Sequence, residues 1–296
     1  MAGSRHITQA VIPVAGRGRR LYPASLAAPK CLMPLVDADG IARPVIHMIL
    51  RAAVAGGIER VALVVSPEHE PLLRRYFSGR YRDELTRIGK AEIADELAAL
   101  GERLTYLAAP SPEGFGHAVW LTRDWAAGEP VLVMLGDTVI VPALGVKPPV
   151  GQLLEHFGRF DAVGVIGAAV TPADGVHLCG TLAGEPIETD SSVYRITNLM
   201  EKPSPEQARR SLRTPGLAGD RFLTHFGLYA FSPEVFDALD ELVRANRREG
   251  GEIQLTSAEA LLVGRGRDLL AAVLAGRAMD VGTGEGLAGT QAAIRR

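Results

Sequence analysis

The chain has 296 residues, of which 47% are hydrophobic and 22% charged, and its formal net charge is -2. This length and apolar fraction exclude a disordered chain, and the balanced charge excludes a protein that binds nucleic acid through a basic surface. The 32 basic residues comprise 28 arginines and only four lysines, at positions 30, 90, 147 and 202.

The first half of the chain alternates between apolar runs of strand length and amphipathic runs of helix length. We expect strands over residues 7–15, 61–66, 104–108 and 131–135, and helices over residues 44–55, 67–77, 81–100 and 116–126. Such alternation predicts a parallel sheet with helices on both faces.

The pattern changes after about residue 160. Strands over residues 162–171, 192–199 and 223–231 follow one another through polar turns, without intervening helices. Helices return at 233–244 and 254–263, with a strand over 269–274 and a terminal helix from residue 284. Because no linker divides the chain, we expect one α/β domain with an added mixed-sheet region.

The cysteine count and the N-terminus bear on location. Cys31 and Cys179 are too few for a disulfide framework, and their spacing matches no metal motif. The first six residues are polar and run straight into a strand, so we expect no signal peptide. No apolar run approaches the ~20 residues that span a bilayer. The sequence favours a cytoplasmic protein without a membrane partner.

A glycine turn follows the first strand, where residues 16–21 read G-R-G-R-R-L. The third small residue of the dinucleotide-binding fingerprint is missing, and Pro23 interrupts the helix that should follow. A Walker A motif is excluded too, because no Gly-Lys-Ser/Thr follows. What remains is a glycine turn with three arginines, suited to polyphosphate, or a basic surface loop without a ligand.

The longer string carries more information. Residues 15–23 read A-G-R-G-R-R-L-Y-P and residues 29–35 read P-K-C-L-M-P-L. At this spacing the string resembles the signature of sugar-1-phosphate nucleotidylyltransferases, G-x-G-T-R-L-x-P followed by P-K-x-x-L-P-[VL]. Arg19 departs from it, because the family usually has a threonine there whose hydroxyl can contact the triphosphate.

Later segments follow in the order of the same family: G-F-G-H-A-V at 114–119, G-D at 136–137, E-K-P at 201–203, G-E-I-Q-L-T at 251–256 and D-V-G at 280–282. The whole chain resembles the bacterial members that act on UTP and glucose 1-phosphate. The resemblance implies a Rossmann-like, mainly parallel mixed sheet flanked by helices (the nucleotidyltransferase type A fold), with a small added β region and C-terminal helices. It implies one nucleotidyltransferase domain over 1–296, with a nucleotide-binding half over about 1–145 and a sugar-binding half plus C-terminal helices over about 146–296.

The resemblance also implies a role for each motif residue. The expected roles are catalytic for Arg20 and Lys30, nucleotide-binding for Ala15, Gly16, Gly18, Arg19, Gly114, Gly116 and His117, sugar-phosphate-binding for Gly180, Glu201, Lys202 and Gly227, and Mg²⁺-binding for Asp137 and Asp280. Each has a plainer alternative: a glycine that opens a helix or turn, a strand-end aspartate that forms a turn, or a surface Glu–Lys pair. Gln254 and Thr256 are expected to cap and orient a helix.

A second departure concerns the base. Family members commonly have a glutamine where this chain has Ala109, and its amide pairs with the edge of uracil or thymine. Alanine has no side-chain hydrogen bond to offer, so base selection must come from backbone groups or be looser.

The function that the resemblance implies is Mg²⁺-dependent transfer of a nucleotidyl group from an NTP to a sugar 1-phosphate, which gives an NDP-sugar and pyrophosphate. UTP and glucose 1-phosphate are favoured, and a homodimer or homotetramer is expected, with no nucleic-acid partner. Two alternatives stay open: the same fold with dTTP, a purine NTP or another sugar, and a non-catalytic regulatory protein that binds nucleotide sugars.

Overall fold

The computed structural model describes residues 5–187 and 189–294. Its strands are β1 (Gln9–Pro13), β2 (Pro34–Val36), β3 (Ala42–Pro44), β4 (Arg60–Val65), β5 (Leu104–Ala108), β6 (Val131–Met134), β7 (Thr138–Pro142), β8 (Gly164–Pro172), β9 (Thr181–Ile187), β10 (Asp190–Met200), β11 (Arg221–Phe231), β12 (Leu269–Val273) and β13 (Gly276–Asp280).

The helices cover both faces of the sheet formed by most of these strands. They are α1 (Ala24–Ala27), α2 (Val45–Ala55), α3 (Glu70–Tyr76), α4 (Arg82–Arg87), α5 (Ala91–Glu102), α6 (Phe115–Trp120), α7 (Arg123–Ala126), α8 (Pro149–Arg159), α9 (Pro205–Ser211), α10 (Glu234–Arg244), α11 (Leu255–Gly264) and α12 (Gly284–Ile294). Three short 3₁₀ turns complete the set, at Arg19–Leu21, Lys30–Leu32 and Ala173–Leu178.

Nine of the described strands form one sheet, in the order β5-β4-β1-β6-β11-β8-β12-β10-β9. The four strands from the first half of the chain run parallel to one another. The junction between the halves is antiparallel, because β11 runs against both β6 and β8. The second half is mixed: β12 is parallel to β8, while β10 is antiparallel to β12 and β9. The predicted α/β class, a mixed sheet flanked by helices, is confirmed.

Burial explains why the first strands could be recognised. The runs in β1, β4 and β6 are almost wholly buried, since helices cover both faces of a parallel sheet and such strands are therefore continuously apolar. Two large hydrophobic cores form, one on each side of the sheet, and a third, smaller cluster packs around α9 and the 3₁₀ turn before β9. No helix in the described ranges combines the length and apolarity needed to cross a membrane.

The boundaries differ from expectation where a helix breaks. The region predicted as one helix over 81–100 is two helices, because Gly89 has a φ of +73°. The region predicted over 116–126 also divides, at Thr122, whose hydroxyl donates to the Val119 carbonyl at 2.7 Å.

Several elements were not predicted at all. Among them are α8, the strand β9 and the small paired strands β2–β3 and β7–β13. The strands of the second half are also not joined by turns alone, since a 3₁₀ turn precedes β9 and the helix α9 lies between β10 and β11.

Candidate active site

The side chain of Lys30 packs against the backbone of the glycine turn that follows β1. Gly18 has a φ of +62°, which a residue with a side chain adopts only at a cost, and the Ser25 hydroxyl donates to its carbonyl at 2.7 Å. A Cβ placed on Gly16 would lie 3.5 Å from Lys30 Nζ. The two motif segments, 15–23 and 29–35, therefore meet in one structure.

Lys30 forms an ion pair with Asp137. The two side chains are only 18% and 16% exposed, so the pair is largely buried. Asp137 follows β6 by way of Gly136, where a Cβ would overlap the Pro13 carbonyl oxygen of β1. This close approach of two strand ends places the carboxylate at the carboxyl edge of the parallel strands, the usual ligand-facing edge.

Asp280 reaches the same place through the small sheet of β7 and β13. Asp280 pairs with Thr138 in that ladder, and the Val281 amide donates to the Asp137 carbonyl at 2.9 Å. The two aspartates therefore occupy neighbouring positions on paired strands, although 143 residues separate them in the chain.

Arg20 pairs with this second carboxylate. Its Nη1 lies 3.3 Å from Asp280 Oδ2, and both side chains are more than half exposed. A Cβ on Gly282 would lie 2.7 Å from Arg20 Nη2, so the guanidinium runs across that glycine. Four of the predicted residues thus form two cation–carboxylate pairs, one largely buried and one exposed.

The pair of aspartates suits a hard cation. Mg²⁺ prefers oxygen ligands and is commonly held by one or two carboxylates together with substrate phosphates and water. Within residues 5–187 and 189–294 no group of three or more His, Cys, Asp or Glu side chains could hold a metal by itself. Asp137 and Asp280 are the residues here that could contribute carboxylate ligands to Mg²⁺.

Cys31, beside Lys30, is fully buried. Burial raises the pKa of its thiol to about 12, and the charge of Lys30 opposes this only in part. The thiol is therefore neutral, and its place in the site is packing.

The predicted base-binding segment lies at the start of α6. Gly114 has a φ of +123°, and a Cβ there would lie 2.5 Å from the Ile253 carbonyl oxygen. A Cβ on Gly116 would lie 2.7 Å from the Gln254 backbone. Both glycines thus permit tight packing against the segment before α11, whether or not they also admit a base. His117 stands beside Trp120 on this helix, with ring centroids 5.5 Å apart.

Ala109 is nearly fully buried, and its amide donates to the Val65 carbonyl at 2.7 Å. Its amide is therefore already used by the sheet edge, and neither side chain nor amide is available to a base. Arg19 and Arg20, by contrast, are exposed in the turn that follows Gly18.

Glu201 and Lys202 come directly after β10 and contact each other, with 3.3 Å between Lys202 Nζ and Glu201 Oε1. The other carboxylate oxygen, Glu201 Oε2, accepts a 2.8 Å hydrogen bond from the Thr256 hydroxyl. Lys202 has a φ of +43°, a strained conformation for a residue with a side chain. Glu201 is therefore held in place from α11, while the Lys202 ammonium stays 59% exposed.

Thr256 thus lies in the first turn of α11 and also orients Glu201, a candidate site residue. Gln254 does occupy the N-cap position of α11, but its side chain makes no capping hydrogen bond. It donates instead to Glu252 at 3.1 Å.

The strand β11 connects the two halves of the candidate site. Gly227 has a φ of +88°, and its carbonyl accepts from the Leu135 amide at 3.2 Å, immediately before the turn that bears Asp137. Two residues earlier, the His225 amide donates to the Gly180 carbonyl at 2.9 Å. Of the two glycines predicted to bind the sugar, Gly227 therefore lies in β11 and Gly180, just before β9, is hydrogen-bonded to that strand.

Two residues in this region were not singled out from the sequence. His225 and Glu259 are buried together, with 3.3 Å between His225 Nε2 and Glu259 Oε2. The only available signal was a glutamate inside the otherwise apolar run of α11, since a buried acid normally has a partner.

Comparison with known proteins gives a consistent picture. Residues 9–296 match the family model described as nucleotidyl transferase. The UTP–glucose-1-phosphate uridylyltransferase of Bacillus subtilis (strain 168) is 30% identical over 86% of this chain and 80% of its own. The enzyme of that name from Streptococcus pyogenes is 31% identical over 85% of this chain and 77% of its own. A crystal structure of UDP-glucose pyrophosphorylase complexed with UDP-glucose superposes with a TM-score of 0.78, at 22% identity and with 97% and 98% of the two chains covered.

Proposed function

This chain belongs to the nucleotidyl transferase family and is a nucleotidyltransferase, and from that premise we propose that it joins UTP and glucose 1-phosphate to give UDP-glucose and pyrophosphate, with the help of Mg²⁺. The observation that carries the proposal is the convergence of Lys30–Asp137 and Arg20–Asp280 on the glycine turn. The relatives' names favour these two substrates.

The reaction needs position and charge more than proton transfer. A phosphate oxygen of the sugar phosphate attacks the α-phosphorus of the nucleotide, a new P–O bond forms, and the bond to the β-phosphate breaks with its electrons leaving on pyrophosphate. The attacking oxygen is already an anion, so no general base is required. The barrier comes from bringing two anions together, which fixed cations lower.

The chain supplies three such cations. The exposed Arg20 would bind the β- and γ-phosphates as they leave, and the largely buried Lys30 would bind the α- or the leaving phosphate. Lys202 would hold the phosphate of the attacking sugar, since its ammonium is the exposed member of the Glu201 pair. When bound by Asp137 and Asp280, Mg²⁺ would supply further positive charge to the phosphate oxygens.

The sugar would lie between these cations and β11. Glu201, fixed by Thr256, is a ready acceptor for hexose hydroxyls. The backbone at Gly180 and Gly227 carries no side chain that would keep a hexose away. The glycine turn with Ala15, Gly16, Gly18 and Arg19, and the α6 segment with Gly114, Gly116 and His117, form the proposed nucleotide half.

Base selection is the part of the proposal for which nucleotides other than UTP are also candidates. The Ala109 side chain has no hydrogen-bonding group and its amide is bonded to Val65. This observation favours a looser choice of base than a glutamine would give, with dTTP or a purine NTP as the second candidates.

A pyrophosphate-release assay tests the proposal. The purified chain is incubated with Mg²⁺ and each of UTP, dTTP, ATP and GTP, in combination with the 1-phosphates of glucose, galactose, mannose and N-acetylglucosamine. We expect the highest kcat/KM with UTP and glucose 1-phosphate, and loss of release when EDTA removes the metal. If pyrophosphate release is highest with another NTP and sugar 1-phosphate, those two replace UTP and glucose 1-phosphate as the proposed substrates. Binding of UDP-glucose without any release would instead indicate the regulatory alternative, which has little use for the two aspartates.

Assembly is a separate part of the proposal. We expect a homodimer or homotetramer, and analytical ultracentrifugation at several protein concentrations measures it. A sedimentation coefficient of a 31.5 kDa monomer throughout would contradict the expectation.

A further inference from the structure

A buried ion pair lies beside the proposed sugar site and has no part in the chemistry just described. His225 on β11 and Glu259 on α11 are 7% and 0% exposed in their side chains. Among the described residues, neither carboxylate oxygen of Glu259 accepts a conventional hydrogen bond, so the imidazole 3.3 Å away is its compensating group. A buried carboxylate without compensation is costly, so this pair calls for an explanation.

The imidazole of His225 is packed directly against Gly180. A Cβ on that glycine would lie 2.5 Å from His225 Nδ1, and the His225 amide is bonded to the Gly180 carbonyl. The same ring nitrogen lies 3.4 Å from the Tyr229 hydroxyl. A change in the position of this ring therefore moves the backbone at Gly180, one of the proposed sugar contacts.

The helix α11 connects Glu259 to Glu201, the other proposed sugar contact. Thr256, three residues earlier and thus on the same face of α11, donates to Glu201. The pair consequently joins two elements, β11 and α11, each of which holds one side of the proposed sugar pocket.

The surroundings of His225 favour its charged form. Burial lowers the pKa of the imidazole, but the carboxylates of Glu259 and Glu201 act against it and the pKa is raised overall. The other facing groups are uncharged, because burial raises the pKa of Tyr229 well above its usual value and also raises the pKa of Cys179. Lys202, whose charge acts on Cys179, is bound to Glu201.

We propose that His225 and Glu259 are positioning residues of the sugar half, which hold Gly180 and Glu201 in place for the hexose and make affinity for the sugar, but not for the nucleotide, dependent on pH. The inference rests on the proposed function, since it needs a sugar nucleotide to be bound. A pair that served stability alone would affect both ligands equally or neither.

Calorimetric titration with two probes, UDP-glucose and UTP, separates these cases without turnover. For the unaltered chain we expect UDP-glucose affinity to fall about tenfold relative to UTP as the pH rises through the raised pKa of His225 and the imidazole loses its proton. The uracil ring is common to both probes, so its own titration cancels in the ratio.

The variants His225→Gln and Glu259→Gln extend the test. At pH 7 each should weaken UDP-glucose binding about tenfold, leave UTP binding within about twofold, and give a flat pH profile. Without Glu259, the imidazole loses the carboxylate that contacts it, and only the more distant Glu201 opposes burial, so the charged form of His225 is disfavoured. Glu155→Gln, at a surface ion pair with Lys147, is the matched control and should behave as the unaltered chain.

A double variant, His225→Leu with Glu259→Leu, guards against loss of folding, because an apolar pair of similar volume often preserves a core. It should retain the melting temperature within a few degrees and still lack the pH dependence. Equal losses for both probes, or a pH-independent ratio in the unaltered chain, overturn the inference while the proposed function stands. No UDP-glucose binding by the unaltered chain overturns both.

Discussion

Lys30 and Lys202 differ from the other lysines of the chain in what surrounds them. Each contacts a carboxylate at the candidate site, Asp137 or Glu201, whereas Lys147 pairs with Glu155 in the open. A compact ammonium can sit between phosphate oxygens that a planar guanidinium would contact differently. In a chain where nearly every cation is arginine, the proposed function accounts for lysine at these two positions.

The contrast between Lys202 and Asp137 gives a kinetic prediction. Lys202→Ala should raise KM for glucose 1-phosphate by about tenfold or more, because one charge-assisted contact to the sugar phosphate is lost, while KM for UTP stays unchanged. Asp137→Ala should chiefly lower kcat, by about 10²- to 10³-fold, because the negative charge that develops in the transition state is less well stabilised. Steady-state kinetics of pyrophosphate release measure both.

Lys147→Ala is the control for removal of a lysine and should leave kcat and both KM values unaltered. Small and equal effects of the Lys202 and Asp137 changes would count against the roles assigned to them.

The two cysteines give a second prediction at this scale. Burial raises the pKa of Cys31 to about 12 and that of Cys179 by less. The thiolate is the reactive form, so at pH 8 only about one Cys31 in 10⁴ is ready to react. Iodoacetamide should modify Cys179 slowly and Cys31 more slowly still in the folded chain, and both quickly in urea. Mass spectrometry of peptides over time follows this, and rapid modification of native Cys31 would contradict its burial.

Individual site residues could be predicted where a motif is continuous in the chain. Lys30 and Asp137 each belong to a continuous sequence motif, and their side chains do form an ion pair. The His225–Glu259 pair could not be found in this way, because its members stand on different elements and neither belongs to a recognisable string. Only tertiary packing turns a histidine in a strand and a glutamate in a helix into one group.

At the scale of elements, the smallest strands matter most for the site and were the hardest to predict. The sequence of β13, G-R-A-M-D, has no alternating pattern, and it pairs with β7 across more than 130 residues. Its role depends on that distant partner rather than on local propensity. The apolar strands β1, β4 and β6 were predicted because burial on both faces of a strand makes nearly every one of its residues apolar.

The helix α12 packs directly on the end of β13, and two of its glycines test this contact. A Cβ on Gly286 would overlap the Asp280 carbonyl oxygen, whereas a Cβ on Gly289 would meet nothing within 4 Å. Gly286→Ala should therefore displace the backbone of Asp280, lower kcat about tenfold or more, and destabilise the fold by about 1–3 kcal/mol.

Gly289→Ala is the matched control on the same helix. It should keep full activity and raise the melting temperature slightly, since alanine is favoured over glycine in a helix by about 0.5–1 kcal/mol. Kinetics and thermal unfolding of the two variants together decide the question. Equal behaviour would mean that α12 does not constrain Asp280.

At the scale of the molecule, one sheet carries both halves of the proposed site. The class of this sheet followed from the alternation of strands and helices, and the strands after residue 160 do form the mixed part of the sheet. The strand order could not be derived, since β11 reaches its place between β6 and β8 through contacts that are distant in sequence.

Stability should respond to pH through buried histidines. Burial lowers the pKa of His47, with Arg43 and Arg51 adding to the effect and Glu96 opposing it, and burial also lowers the pKa of His156. The folded state thus binds fewer protons here than the unfolded state, so this contribution is present above pH 6.5 and is lost as pH falls below it. The melting temperature should fall between pH 7 and pH 5.

Variants separate the contributions. His156→Gln should make that fall shallower, while His6→Gln, at an exposed histidine, should leave it unchanged. His225 has the opposite sign: its raised pKa gives stability that is present at low pH and is lost as pH rises through it. A slope unaffected by His156→Gln would show that this residue does not contribute to it.

The ladder between β7 and β13 also imposes an order in time. During synthesis the glycine turn emerges before Asp137, and the second carboxylate emerges 143 residues after Asp137. Until β13 pairs with β7, a nascent chain holds the glycine turn with only one of the two aspartates beside it. Nucleotidyl transfer would therefore begin only after nearly all of the sheet has been synthesised, and partial chains would remain silent even if they bind nucleotide.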